Sequence, residues 1–265
     1  MWKTLRHPNV LPLTGVMISE NQFAMISDWM VNKNINDFVK AHPDVNRIAL
    51  VIFFNEIFRT RFVDTHKPPQ LEGVTKGLIY IHDQGMIHGD LKGVRLWSLE
   101  SCLYLMTPLC IKANILIDPT GTARLADFGL LTIISEPTNL LASSSYAHGG
   151  TARWMSPELI DPEQFGLEKY RPTTASDCYA LGMVVYETIS GHLPFPDHTP
   201  LSVVVKVLKG ERPRRGPGFT NNVWKMLEMC WKPQPNDRPA IKDVLLCLEQ
   251  VSDPTDPGSK SSPGG

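Results

Sequence analysis

The run Gly-x-Gly-x-x-Gly occurs nowhere in these 265 residues, so no glycine-rich loop of that pattern is present to cradle phosphates. The five cysteines include no Cys-x-x-Cys pair, which argues against a zinc site and a disulfide framework and reads as reduced intracellular thiols. Charge is nearly balanced: the net value of −1 exerts no global pull on nucleic acid or on an acidic membrane. No uncharged apolar run is long enough to span a bilayer. The first residues, Met1-Trp2-Lys3-Thr4-Leu5-Arg6-His7-Pro8, hold no apolar signal core. The expected setting is intracellular and cytoplasmic, with no nucleic-acid or membrane partner.

What is present is the composition of a globular protein, 42% hydrophobic and 20% charged, in a chain long enough for one large or two modest domains. Within it, Ile87-His88-Gly89-Asp90-Leu91-Lys92-Gly93 is followed by Ala113-Asn114-Ile115-Leu116-Ile117-Asp118 and by Ala126-Asp127-Phe128-Gly129. These stretches set one acid, one lysine, one amide and a second acid on consecutive loops. Phosphoryl transfer asks a protein for an oriented hydroxyl, metal ions on the phosphates and spread positive charge. Asp90 can accept a hydroxyl proton, Lys92 can offset charge on a moving phosphoryl group, and Asn114 and Asp127 are hard oxygen ligands suited to Mg2+. Each triplet alone is weak; their order along the chain is a strong signal.

The surrounding pattern is consistent. His7 to Val16 reads as a turn and then a strand, and Phe23 to Ser27 as a second strand. Ile35, Phe38 and Val39 share one face of a short helix that stops near Pro43. Leu71, Val74, Leu78 and Ile81 are spaced as the apolar face of a helix ending at Gly85, with His82 a packed or surface histidine. Asp118-Pro119-Thr120-Gly121 is a turn between Ile115–Ile117 and Ala123–Leu125, predicting a small hairpin. Residues 130–147 have the small, hydroxyl-rich composition of a mobile loop, in which Ser143, Ser144, Ser145 and Tyr146 are either modification sites or simply solvated. Asp177 is expected to open an apolar helix, Cys178 to Ser190. Three more helices are expected over Leu201 to Leu208, Val223 to Trp231 and Ile241 to Val251. The Pro-, Ser- and Gly-rich residues 252–265 read as a disordered tail.

The three loops resemble the catalytic loop and the Asp-Phe-Gly segment of protein kinases, and Gly149-Gly150-Thr151-Ala152-Arg153-Trp154-Met155-Ser156-Pro157-Glu158 resembles the substrate-docking segment of serine/threonine kinases, including the tyrosine-kinase-like group. The resemblance implies an α+β fold with a mostly helical large lobe over 31–251 and an incomplete β small lobe over 1–30. It makes Asp28-Trp29-Met30 the hinge whose backbone binds adenine, with Ser27 as gatekeeper and Leu116 beneath the base. It pairs Glu158 with Arg238 and lets Asp177 hold the catalytic loop from below. It implies ATP and Mg2+ as cofactors and a protein with a Ser or Thr acceptor as partner; Lys92 and Thr151 favour Ser/Thr over Tyr.

Three departures from the family stand out. No Val-Ala-Ile-Lys-like strand precedes the hinge, and the glutamate that would pair with its lysine aligns just before Met1, so the small lobe reads as cut. Gly89 replaces the family arginine that receives an activation-loop phosphate, leaving 143–146 without that receptor. Residues 51–70 and 94–112 interrupt the family spacing, and the second is expected to deprive Asp90 and Asn114 of a fixed relation. Each segment starts with valine, whose codons begin GT, and ends with a residue whose codon can end in AG, as retained introns would. Genuine insertions are the alternative, since widening a loop fivefold costs only about 1.4 kcal/mol. The readings that follow are a serine/threonine kinase inactive or very weak as written, a kinase-derived scaffold that binds without turnover, or a mis-assembled fragment of an ordinary kinase; the last is favoured because the chemical residues survive. On the intron reading, the major mature transcript lacks the codons for 51–70 and 94–112 and extends upstream of Met1. Transcript sequencing with reads crossing both segments intact would contradict it.

Overall fold

The computed structural model describes residues 2–19, 22–43, 74–93, 114–127, 132–133 and 151–251. The expectations for 51–70, for 94–112, for all of the loop at 130–147 but 132–133, and for the tail at 252–265 lie outside these residues, as do Leu71, Phe128 and Gly129.

Among the described residues the strands are few and short: β1 (Leu13–Ser19), β2 (Gln22–Ser27), β3 (Met86–Ile87), β4 (Ile115–Ile117), β5 (Ala123–Leu125) and β6 (Thr132–Ile133). They form three antiparallel pairs, β1 with β2, β3 with β6 and β4 with β5. Seven α-helices carry the remainder: α1 (Ile35–Ala41), α2 (Val74–Asp83), α3 (Pro157–Ile160), α4 (Thr174–Ser190), α5 (Pro200–Leu208), α6 (Asn221–Cys230) and α7 (Ile241–Val251). The fold is α+β, a mostly helical body with a thin β layer at its N-terminal end. Among the described residues no helix is long and apolar enough to cross a membrane.

Helix α4 is the spine. All but three of its residues are buried, from Ser176 to Ile189, and α1, α6 and the short turn Pro235–Asp237 pack against it. It begins three residues before the expected Asp177, because Thr173 caps it. The Thr173 hydroxyl accepts from Ser176 N–H at 3.1 Å, and the Ser176 hydroxyl accepts from Thr173 N–H at 2.8 Å. This reciprocal pair satisfies donors that a helix start otherwise leaves open. Helix α6 starts two residues before the expected Val223 for the same reason, with Thr220 accepting from Val223 N–H at 3.3 Å.

The N-terminal strands are tied to the body through the β4–β5 hairpin. Leu11 N–H donates to the Leu125 carbonyl and Leu125 N–H to the Asn9 carbonyl, both at 2.8 Å, and the buried Asn9 amide donates to the Ala123 carbonyl at 2.9 Å. Asp118 closes the hairpin, accepting from Thr120 Oγ1 at 2.7 Å, from Thr122 N–H at 2.9 Å and from Arg124 Nε at 2.9 Å. Burial alone would raise the Asp118 carboxyl; these donors outweigh it and hold the group below the ordinary carboxylate value.

At the other end, Arg238 binds Glu158 through two parallel contacts of 2.7 Å, with both side chains buried. The same guanidinium donates to the carbonyls of Ala175, Pro233 and Lys232 and lies 5.1 Å from the centre of the Tyr179 ring. One cation thus joins α3, the start of α4 and the loop before α7. Removing one partner of such a pair leaves an uncompensated buried charge. Arg238→Ala is expected to cost about 3–5 kcal/mol, read as a lower melting temperature by circular dichroism; an unchanged melting temperature would show the pair to be energetically idle.

Candidate active site

The site is assembled where the turn after β3, the start of β4 and the end of β5 meet. Its backbone is fixed first. The Asp177 carboxylate, buried near the start of α4, accepts from His88 N–H and Gly89 N–H, each at 2.9 Å, and meets His82 Nε2 of α2 at 2.8 Å. Gly89 takes φ 77°, a conformation that costs an L side chain roughly 1–2 kcal/mol, so glycine fits this turn. His88 Nε2 lies 3.2 Å from the Ala126 carbonyl, and Ala126 N–H donates to the Asn114 carbonyl at 2.8 Å. These contacts bring the three loops together and set Asp127 directly after an anchored residue. Asp127 itself has φ 58°, an uncommon conformation for a non-glycine residue.

The side chains converge on Asp90. Lys92 Nζ lies 2.8 Å from Asp90 Oδ2 and 3.2 Å from Thr151 Oγ1, with both charged groups largely shielded from water. Asn114 donates through Nδ2 to the Asp90 carbonyl and, at 3.1 Å, to Asp90 Oδ2. The expected loss of a fixed relation between Asp90 and Asn114 is therefore corrected: they are hydrogen-bonded although 94–112 lies between them in sequence. Backbone pairing explains it, since Asn114 N–H reaches the Lys92 carbonyl at 3.4 Å and closes the excursion at its base. Asn114 Oδ1 is buried and has no hydrogen-bond partner among the described residues. An orphaned hard oxygen beside an acidic loop fits a divalent cation such as Mg2+, with Asp127 next along the chain. Among the described residues no three His, Cys, Asp or Glu side chains gather as a ligand set.

The residues expected around adenine are also placed. Leu116 packs, partly buried, on a small cluster of Leu11, Met30 and Ala126, joined by Trp2. Met30 is buried and its carbonyl accepts from Lys33 N–H at 3.0 Å, while Asp28 and Trp29 are exposed.

One group escaped sequence reasoning. Glu187, nearly three turns further along α4 than Asp177, is buried and accepts from Asn36 Nδ2 at 2.7 Å and from Trp154 Nε1 at 3.0 Å. A Cβ on Gly93 would sit 2.7 Å from its Oε2, so only glycine lets the loop after Lys92 lie against it. The available signal was an acid in an otherwise apolar helix.

The comparison with protein families resolves what this arrangement belongs to. The family described as protein tyrosine and serine/threonine kinase matches residues 1–95 and 107–248. The chain belongs to the protein kinase family. It is similar to serine/threonine-protein kinase STY17 of Arabidopsis thaliana, 26% identical over 94% of this chain and 36% of that protein. It is also similar to cell division control protein 7 of Schizosaccharomyces pombe, at 28% over 94% of the chain and 19% of the relative. Tyrosine-protein kinase Abl of Drosophila melanogaster is 26% identical over 94% of the chain and 13% of its own length. The chain thus spans about a third or less of the relatives it matches.

If the Asp177 carboxylate is what holds the loop carrying Asp90, Asp177→Ala will release the His88 and Gly89 amides. Hydrogen exchange at His88 and Gly89 is expected to quicken by at least about tenfold, with a stability loss of about 3 kcal/mol or more, since hydrogen bonds to a charged group are worth roughly 1.5–3 kcal/mol each. Retained protection at both amides would assign the loop's rigidity to other contacts.

Proposed function

We propose that the chain carries the catalytic half of an ATP-dependent protein serine/threonine kinase. The observation that supports this most is the set at Asp90: Lys92 Nζ and Asn114 Nδ2 both contact Asp90 Oδ2, and the buried Asn114 Oδ1 is left open to a cation. Asp90 would receive the acceptor hydroxyl and aim its oxygen. Lys92, bridging Asp90 and Thr151, would set positive charge where the phosphoryl group moves and link it to the segment that docks the acceptor. Asn114 and Asp127 would hold Mg2+, which supplies charge neutralisation on the phosphates when bound. Asp28 and Met30 would offer backbone groups to adenine, with Leu116 beneath the ring. The resemblance of the relatives to serine/threonine kinases supports the acceptor class.

The polypeptide as written is expected to turn over negligibly. It contains no glycine-rich phosphate cover and no lysine-bearing strand of the family type before the hinge. Losing one preorganised charge stabiliser costs about 10²–10³ in rate, and parts that act together lose more than that when several are missing. The break between the two matched blocks falls inside 94–112, which supports treating that segment as an addition to the kinase pattern. The second reading is a scaffold that binds partners without catalysis.

A radiolabelled-ATP assay on a generic protein substrate separates these. It compares this chain, a version lacking 51–70 and 94–112 and joined to an upstream kinase small lobe, and that repaired version with Asp90→Asn. Only the second is expected to give signal. Equal activity from the first would overturn the dependence on the missing parts, and silence from all three would favour the scaffold.

A further inference from the structure

The β1–β2 ribbon has the composition of a sheet covered on both faces, and among the described residues neither face is covered. Residues 13–19 and 22–27 include no Asp, Glu, Lys, Arg or Pro. Directly paired residues share a face, so the register puts Val16, Ile18 and Met25 on one side and Met17 and Ile26 on the other. All five are exposed: Ile18 at 76%, Val16 at 50%, Met17 at 48%, Ile26 at 47% and Met25 at 40%. A sheet with one wet face ordinarily alternates apolar and polar residues, whereas strands apolar on both sides belong between two layers.

The edges are open as well. The ribbon is a two-stranded sheet, and among the described residues no backbone group of either strand bonds outside it. Two strands alone are marginal in water. Proteins ordinarily guard such edges with a charge, a proline or a bulge. Strand β1 has one such guard, the register shift between Leu13 and Gly15. Strand β2 keeps regular register from Gln22 to Ile26 and has none.

We propose that two copies of this chain associate through β2, antiparallel about a two-fold axis, to make one four-stranded sheet. A two-fold axis pairs β2 with itself and asks for no complementary surface elsewhere on the molecule. Packing face to face would cover one side of the ribbon and leave the other wet. Edge pairing satisfies the open amides, and adjacent strands shield each other's flanks on both sides. Trp29 and Val31, which follow β2, are 83% and 56% exposed. With the five ribbon side chains they leave apolar surface on the order of the 800 Å² that one partner of a stable interface buries. A charged partner finds no counter-charge on the ribbon, and a bilayer would leave the open edge unsatisfied. The association does not rest on the kinase reading.

Sedimentation velocity of the full chain over a concentration series is expected to show a dimer. Hydrogen exchange on the same samples should slow with concentration by at least about tenfold, most of all within 22–27. This measurement uses the unaltered chain, so it decides the matter even where a variant folds poorly. Met25→Lys with Ile26→Lys sets a charge on each face of β2 and should weaken the dimer at least about tenfold. Leu246→Lys, at an exposed apolar side chain of α7, should leave it intact. A monomer at every concentration, a dimer indifferent to the β2 changes, or one lost equally with Leu246→Lys overturns the proposal. Protection greatest within 13–19 overturns it in favour of the β1 edge. Species that grow past the dimer overturn it in favour of open-ended aggregation. Binding to phosphatidylcholine vesicles that the β2 changes abolish, with no dimer, overturns it in favour of a membrane face.

Discussion

One buried carboxylate carries the architecture of the site. Asp177 sits near the start of the most deeply buried helix, and its two oxygens take the amides of His88 and Gly89 together with the His82 imidazole. A bare carboxylate at that depth would be costly, and the three donors are what make it tolerable. In return they fix the turn that presents Asp90. Everything further out, Lys92 against Asp90, Asn114 against the carbonyl and Oδ2 of Asp90, and Ala126 against Asn114, is built on a loop already held still from within.

The same device recurs at two other points on the spine. Glu187 gathers Asn36 and Trp154, joining α1 to the segment before α3. Arg238 gathers Glu158 and three carbonyls, one of them Ala175 at the start of the same helix. Each is a charge taken out of water and compensated from several elements at once, so each constrains geometry more than it adds net stability. Burial lowers the Arg153 guanidinium, and the Glu187 carboxylate opposes that. A site whose work is positioning benefits from this rigidity, because a misplaced group loses the advantage of proximity.

The elements themselves were largely legible from pattern. The apolar spacing in α2 and α7, the turn residues of the β4–β5 hairpin and the motif order needed no tertiary knowledge. The starts of α4 and α6 differ from expectation because caps at Thr173 and Thr220 set them, and a hydroxyl three to five residues outside an apolar run leaves no periodic trace. The relation of Asn114 to Asp90 was misjudged for another reason. Sequence distance across 94–112 suggested separation, yet a backbone bond at the neck of that excursion cancels its length.

What the sequence by itself determined is therefore the class of fold and the inventory of chemical groups, because both follow from short-range periodicity and from motifs read in order. Tertiary structure alone decided which groups meet. The burial of Glu187, the approach of Gly93 to it and the exposure of the β1–β2 ribbon depend on contacts between residues far apart in the chain. Whether Val16 and Met17 face water or core is invisible in a strand apolar on both sides until its neighbours are in place, since apolar character alone cannot tell which of two faces the fold will cover.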